Sequence, residues 1–85
     1  MNDYNSLKTQ LLSIIERYAF DKELVKNAQD DSRIIADLKI NSARMVDIIL
    51  DLEDKYQISI KDEDLDKLTK VKDIIAYILK NTAEE

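Results

Sequence analysis

Three stretches of this chain repeat apolar residues at three- and four-residue spacing, and this repeat constrains the fold more than any other feature. The stretches are residues 4–19, 42–56 and 70–80. Such spacing places apolar side chains along one face of an α-helix, so we predict three amphipathic helices. The alternating residues 57–61 are too short to form a paired strand, and the chain offers no second strand candidate. We therefore predict an all-α domain whose helices bury their apolar faces against one another.

Two less regular segments join these helices. Residues 20–41 form a long connection, in which Leu24 and Val25 suit a short helical turn and residues 27–32 are almost wholly polar. The apolar residues expected to pin this connection to the core are Ile34, Ile35, Leu38 and Ile40. Residues 62–68 begin with acids, as a helix N-terminus prefers, and predict one or two helical turns. The expected architecture is a four-helix bundle with a long first loop and a short third helix.

The composition excludes most catalytic designs. The 85 residues include no cysteine, histidine, glycine or proline, so the chain lacks a thiolate nucleophile, the commonest general base and a glycine-rich phosphate loop. This length suits one domain, residues 1–85. The first residues lack the pattern of a signal peptide, and no apolar run approaches the roughly 18 residues of a membrane span. We therefore expect a cytoplasmic protein that is not an enzyme and is not stably inserted in a membrane.

Ser42 stands where the long connection becomes the second amphipathic helix. Asn41 is suited to cap that helix, and the N-terminus of a helix favours a bound or attached phosphate. Ser42 is a poor hydrolytic nucleophile, because no histidine activates it and no glycine-containing elbow presents it. A serine that another enzyme modifies needs no such activation. Ser42 is therefore either a first-turn residue without further role or an attachment point.

The helix behind Ser42 has an apolar face wider than a small core requires. At about 100° per residue its apolar arc spans about 220°, against the 100° stripe that is typical of a helix lying on a core. The core side of the arc contains Met45, Ile48, Ile49, Leu52 and Tyr56. The arc continues through Ala43, Val46 and Leu50 and is bordered by Asp47, Asp51 and Asp54. Such a strip indicates a partner site; the alternative is that this helix is the central, most enclosed one.

Acidic residues concentrate beside this strip. Residues 43–67 hold eight acids and four bases, whereas residues 1–27 are balanced and the whole chain carries a net charge of −5. Such a surface repels nucleic acid and favours protein partners with basic patches, although the acids also serve to keep a small protein soluble. Residues 62–66 lack the glycine and the distal glutamate of a calcium loop, so we predict no metal site there.

The order and spacing of these features resemble those of acyl carrier proteins. The resemblance rests on the amphipathic first helix and on two runs, DSRIIADLKINSARMVDIILDLEDKY at 31–56 and ISIKDEDLDKLTKVKDIIAYI at 58–78. It implies a monomeric four-helix bundle in which Ser42 receives 4′-phosphopantetheine from a phosphopantetheinyl transferase. The thiol of that arm would hold an acyl chain as a thioester and present it to synthases, reductases and transferases with basic docking patches.

The resemblance also implies which residues meet partners and cargo. Partner contacts fall on Val46, Asp47, Leu50, Glu53 and Asp54, and core residues such as Ile49 and Ile75 accommodate the acyl chain. The chain departs from the family pattern around the serine, where Asn41 replaces an aspartate, Ala43 a leucine and Arg44 an acidic or polar residue. Lys39 and Lys72 likewise replace glycines, and Lys61 a proline. Because a transferase reads the surface around Ser42, we assign partner binding to Asn41, Ala43 and Arg44 as well.

The resemblance leaves the pathway open. Fatty-acid biosynthesis and a specialised lipid or polyketide pathway use the same arm. Two alternatives keep the fold and change the function: a D-alanyl or aminoacyl carrier protein, and a helical interaction module whose Ser42 is never modified.

Overall fold

The computed structural model describes residues 3–82, which form five helices and no strand. The helices are α1 (Tyr4–Tyr18), α2 (Lys22–Lys26), α3 (Ser42–Tyr56), α4 (Asp62–Leu65) and α5 (Val71–Thr82). The prediction of an all-α bundle with a long first loop and a short helix before the last one is confirmed. The structure adds α2, which occupies the helical turn expected around Leu24 and Val25, and it limits the short helix α4 to a single turn.

The helix against which the others pack is α1. It contacts α2, α3 and α5, and the carboxylate of Asp3 caps it by accepting a hydrogen bond from the Ser6 amide at 2.8 Å. Its buried residues lie on one face and are Leu7, Leu11, Ile14 and Ile15. Opposite them, α3 buries Ile48, Ile49 and Leu52 and α5 buries Val71, Ile74, Ile75 and Ile78. Burying each such side chain contributes about 1.5–3 kcal/mol, so this apolar contact supplies most of the stability of the bundle.

Tyrosine hydroxyls join the helices at the edge of this core. The Tyr18 hydroxyl of α1 donates to the carboxylate of Asp51 on α3 at 2.6 Å. The Tyr56 hydroxyl donates in the opposite direction, from α3 to the side-chain oxygen of Gln10 on α1. These bonds add to the apolar contact that holds α3 in its orientation against α1.

The long connection is held to the core by apolar side chains, but by fewer than predicted. Ile34, Leu38 and Ile40 are buried, in agreement with the sequence analysis. Ile35 was expected to join them and is instead 48% exposed. Because Ile34 is directed into the core, the side chain of the next residue, Ile35, points away from the core.

The same connection is tied to the start of α5. Three backbone hydrogen bonds of 2.9–3.0 Å cross between them: Ile34 N–H to Thr69 O, Val71 N–H to Ser32 O and Lys72 N–H to Asp30 O. The Lys72 ammonium lies 2.7 Å from the Asp31 carboxylate, and this hydrogen bond lowers the pKa of Asp31. A long loop is therefore held at a defined place, which in turn positions the beginning of α3.

The end of α3 yields a prediction about stability. Gln57, the residue that ends the helix, has φ 54° in the left-handed region, where glycine is favoured. We expect Gln57→Gly to raise the free energy of unfolding by about 0.5–1 kcal/mol, measured by urea denaturation followed with far-UV circular dichroism. The control is Ser59→Gly, an exposed position without a positive φ, which should lower that free energy. A loss of stability in Gln57→Gly would contradict this account of the helix end.

Candidate functional site

Ser42 is the first residue of α3 and is exposed. The preceding residue, Asn41, has extended backbone angles, φ −60° and ψ 134°, and caps the helix. Its side-chain oxygen accepts a hydrogen bond from the Ala43 amide at 2.8 Å, and its carbonyl oxygen accepts one from the Arg44 amide at 2.8 Å. The predicted cap is therefore present, and it places the Ser42 side chain at the exposed end of the helix.

A strained turn brings the chain to this position. Lys39 has φ 55° in the left-handed region, which costs a residue with a Cβ atom about 1–2 kcal/mol. Its neighbours Leu38 and Ile40 are both buried, each with 2% of its surface exposed, and they hold the turn in place. The turn also contains Asp37, whose carboxylate accepts hydrogen bonds from the Arg33 amide and guanidinium. These bonds lower the pKa of Asp37.

The surroundings of Ser42 present the serine and do not activate it. The chain has no histidine to take a proton from the hydroxyl. Residues 3–82 contain no group of three or more acidic, histidine or cysteine side chains that could hold a metal ion. An exposed hydroxyl at the N-terminus of a 15-residue helix does fit a covalently attached phosphate, because the helix dipole favours negative charge there.

The apolar face of α3 is not enclosed by the bundle. Val46 is 59% exposed and Leu50 is 55% exposed, whereas Ile48 and Leu52 are fully buried. The alternative in which α3 is the central helix is therefore wrong, because α1 has that place. The exposed strip extends from Ala43 through Val46 to Leu50.

The predicted acidic rim is only partly available to a partner. Asp54 is exposed, and Asp47 forms an ion pair with Arg44 at 2.9 Å. Glu53 is half-buried and accepts a hydrogen bond from the Ile60 amide at 2.7 Å, so it also fixes the connection to α4. Asp51 does not belong to the rim. Its carboxylate is turned to α1, where it accepts the Tyr18 hydroxyl.

A cavity of about 660 Å³ opens beside this strip. Five residues of α3 form one wall: Met45, Val46, Ile49, Leu50 and Glu53. The opposite walls come from the long connection, through Ile35, and from α4 and its flanks, through Leu65 and Leu68. Ile49 thus lines the cavity as expected for cargo, whereas Ile75 is fully buried and does not line it. The sequence did not predict that Ile35, Leu65 and Leu68 line a common cavity with α3, because these residues lie in mostly polar segments whose positions depend on the fold.

The comparisons with known proteins agree with this geometry. Residues 21–78 match the family model described as "Phosphopantetheine attachment site", so the fold and site define a domain of the class that bears covalent 4′-phosphopantetheine. Residues 3–82 contain no helix that is both long and apolar enough to cross a membrane.

Two relatives of this chain share one description. The "Acyl carrier protein" of Helicobacter hepaticus is 36% identical over 81 residues, which cover 95% of this chain and 99% of the relative. The "Acyl carrier protein" of Campylobacter jejuni strain RM1221 is 38% identical over 65 residues, or 76% of this chain and 80% of the relative. The chain belongs to the acyl carrier protein family, and it is a carrier and not an enzyme.

The cap at the site gives a second prediction. Replacing Asn41 by alanine removes the acceptor for the Ala43 amide, so Asn41→Ala should lower the free energy of unfolding by about 1 kcal/mol. Asn41→Asp retains an acceptor and should unfold within about 0.5 kcal/mol of the wild type. Chemical denaturation of the three proteins, followed by circular dichroism, measures both values. Equal stability of Asn41→Ala and wild type would show that the cap does not hold α3.

Proposed function

We propose that Ser42 bears the 4′-phosphopantetheine arm and that the chain carries acyl intermediates as thioesters on its thiol. The observation that carries this proposal is the exposed Ser42 hydroxyl at the capped start of α3, with the apolar cavity opening one turn further along the same helix, at Met45 and Val46. The phosphate would lie where the helix dipole favours it. The pathway is fatty-acid biosynthesis or a related specialised lipid or polyketide pathway.

The cavity favours acyl cargo over D-alanyl or aminoacyl cargo. Its volume of about 660 Å³ falls within the range of small-molecule sites, and most of its lining side chains are apolar. An alkyl chain gains from leaving water in such a cavity, at about 0.8 kcal/mol per buried methylene group. A small polar aminoacyl group would gain little there.

The strip of α3 beside the cavity is the proposed docking surface for partner enzymes. Val46 and Leu50 supply an exposed apolar centre, and Asp47, Glu53 and Asp54 surround it with negative charge. Apolar centres with polar rims are typical of protein interfaces. The matching partner surface is basic around an apolar recess, and we assign it to the phosphopantetheinyl transferase and to the synthases, reductases and transferases of the pathway. Asn41, Ala43 and Arg44 extend this surface to the serine.

The attachment is tested by mass. Unmodified protein incubated with coenzyme A and a phosphopantetheinyl transferase should gain the mass of one phosphopantetheine, and Ser42→Ala should gain none. Ser13→Ala, which changes an exposed serine on α1, should be loaded like the wild type. The proposal fails if several transferases leave the wild type unmodified or if Ser42→Ala is still loaded. A wild type that is never loaded, together with a functional Ser42→Ala in cells, would identify an unmodified interaction module.

The docking surface is tested by kinetics with loaded protein. Leu50→Ser removes the apolar group at the centre of the strip, so the KM of an acyl synthase for the loaded carrier should rise about five- to tenfold. Ala76→Ser makes an exposed apolar residue of α5 polar and should leave the KM within about twofold. Equal KM values for Leu50→Ser and wild type would exclude Leu50 from the interface.

A further inference from the structure

A second surface near Ser42 is lined by cationic side chains. It is a shallow depression of about 1060 Å³ between the end of α1 and the start of α3. Three cationic residues line it, namely Arg17, Lys39 and Arg44, and none of its lining residues is acidic. The chain as a whole carries a net charge of −5, so this local excess of positive charge is distinct.

The three cationic side chains remain accessible to a binding partner. Arg17 lies 3.6 Å from Asp51 and Arg44 lies 2.9 Å from Asp47, but the two arginine side chains remain 64% and 59% exposed. Ion pairs at such exposed positions are weak, and an incoming carboxylate can share these guanidinium groups. Lys39 is exposed and forms no ion pair with another residue of the 3–82 stretch.

An aromatic side chain stands in the same depression. Phe20 is 98% exposed, which is the largest exposure among the big apolar residues of the described chain. Ile35, exposed at 48%, lines the depression as well. Aromatic and arginine side chains supply a large share of the binding energy at protein interfaces. The combination of an exposed phenylalanine with two arginines therefore fits a protein partner.

Lys39 supplies an independent observation. Its φ of 55° would suit glycine, yet the position holds a lysine that lines the depression. The strained turn therefore holds a charged side chain at the depression.

We propose that the transferase that loads Ser42 docks on this depression, with carboxylates opposite Arg17, Lys39 and Arg44 and an apolar recess for Phe20. This inference rests on the proposed function and adds the sign of the charge on the transferase surface that faces the depression. The position of the depression identifies its occupant. Asn41 precedes Ser42, Arg44 follows it by two residues, and both line the depression, so a protein that reaches the serine hydroxyl also covers the depression. The transferase surface is then acidic here and basic opposite the α3 strip.

The experiment uses the transferase that loads the wild type, at saturating coenzyme A, and measures kcat and KM for the carrier. Lys39→Glu places a carboxylate opposite the proposed carboxylates of the transferase. Its KM should therefore rise about tenfold, and its kcat should stay within about twofold of the wild-type value. Phe20→Ala should raise KM about fivefold. The matched control is Lys80→Glu, the same charge reversal at an exposed residue of α5 that does not line the depression, and its KM should stay within about twofold.

Lys39→Gly separates docking from folding. It removes the charge and relieves the positive-φ strain, so its Tm should rise while its transfer KM also rises. An unchanged or lower KM in Lys39→Glu overturns the proposal, as does a Phe20→Ala variant that loads like the wild type. A wild type that no transferase loads would overturn the proposed function as well. Cosedimentation with phosphatidylglycerol vesicles that is lost in Lys39→Glu would assign the depression to a membrane surface instead.

Discussion

Burial of the apolar face of α1 against α3 and α5 is the interaction on which the rest of the structure depends. A chain of 85 residues has no second core to compensate for the loss of this one. Because α1 is the helix that both α3 and α5 contact, α3 is not enclosed on all sides. The remaining apolar side chains of α3, Val46 and Leu50, are left at the surface. The exposed strip is thus a result of which helix lies at the centre.

The same packing explains how a chain without histidine or cysteine can present a serine to other proteins. In the proposed function Ser42 requires only a fixed and accessible position, which the Asn41 cap and the buried Leu38 and Ile40 provide. Under that proposal the chemistry is carried out by partner enzymes, and the features of this chain that select those enzymes are its surfaces. The described core contains no buried polar or charged side chain, so no buried polar group weakens the packing that holds the serine in position.

Charge is divided unequally around the serine. Three acidic residues of α3, namely Asp47, Glu53 and Asp54, border the apolar strip, and Asp62 of α4 lines the cavity. Arg17, Lys39 and Arg44 gather at the other side of the helix start. Arg44 belongs to both regions, since it lines the depression and pairs with Asp47. A partner that contacts both regions at once would need both signs of charge, and such a requirement discriminates between partners more strongly than a uniformly acidic surface does.

The sequence by itself determined the helix class, the start of α3 at Ser42 and the absence of catalytic groups. Periodicity, capping and composition are local properties, so they can be read without the fold. Only the tertiary structure decided what lies beside the serine. The carboxylate of Asp51 contacts α1, and Ile35 lies outside the core. Phe20, Arg17 and Lys39 line one depression with Arg44, although they are distant from it in the sequence. These outcomes depend on how α1 packs and where the long loop is tied, and a helical period carries no information about either.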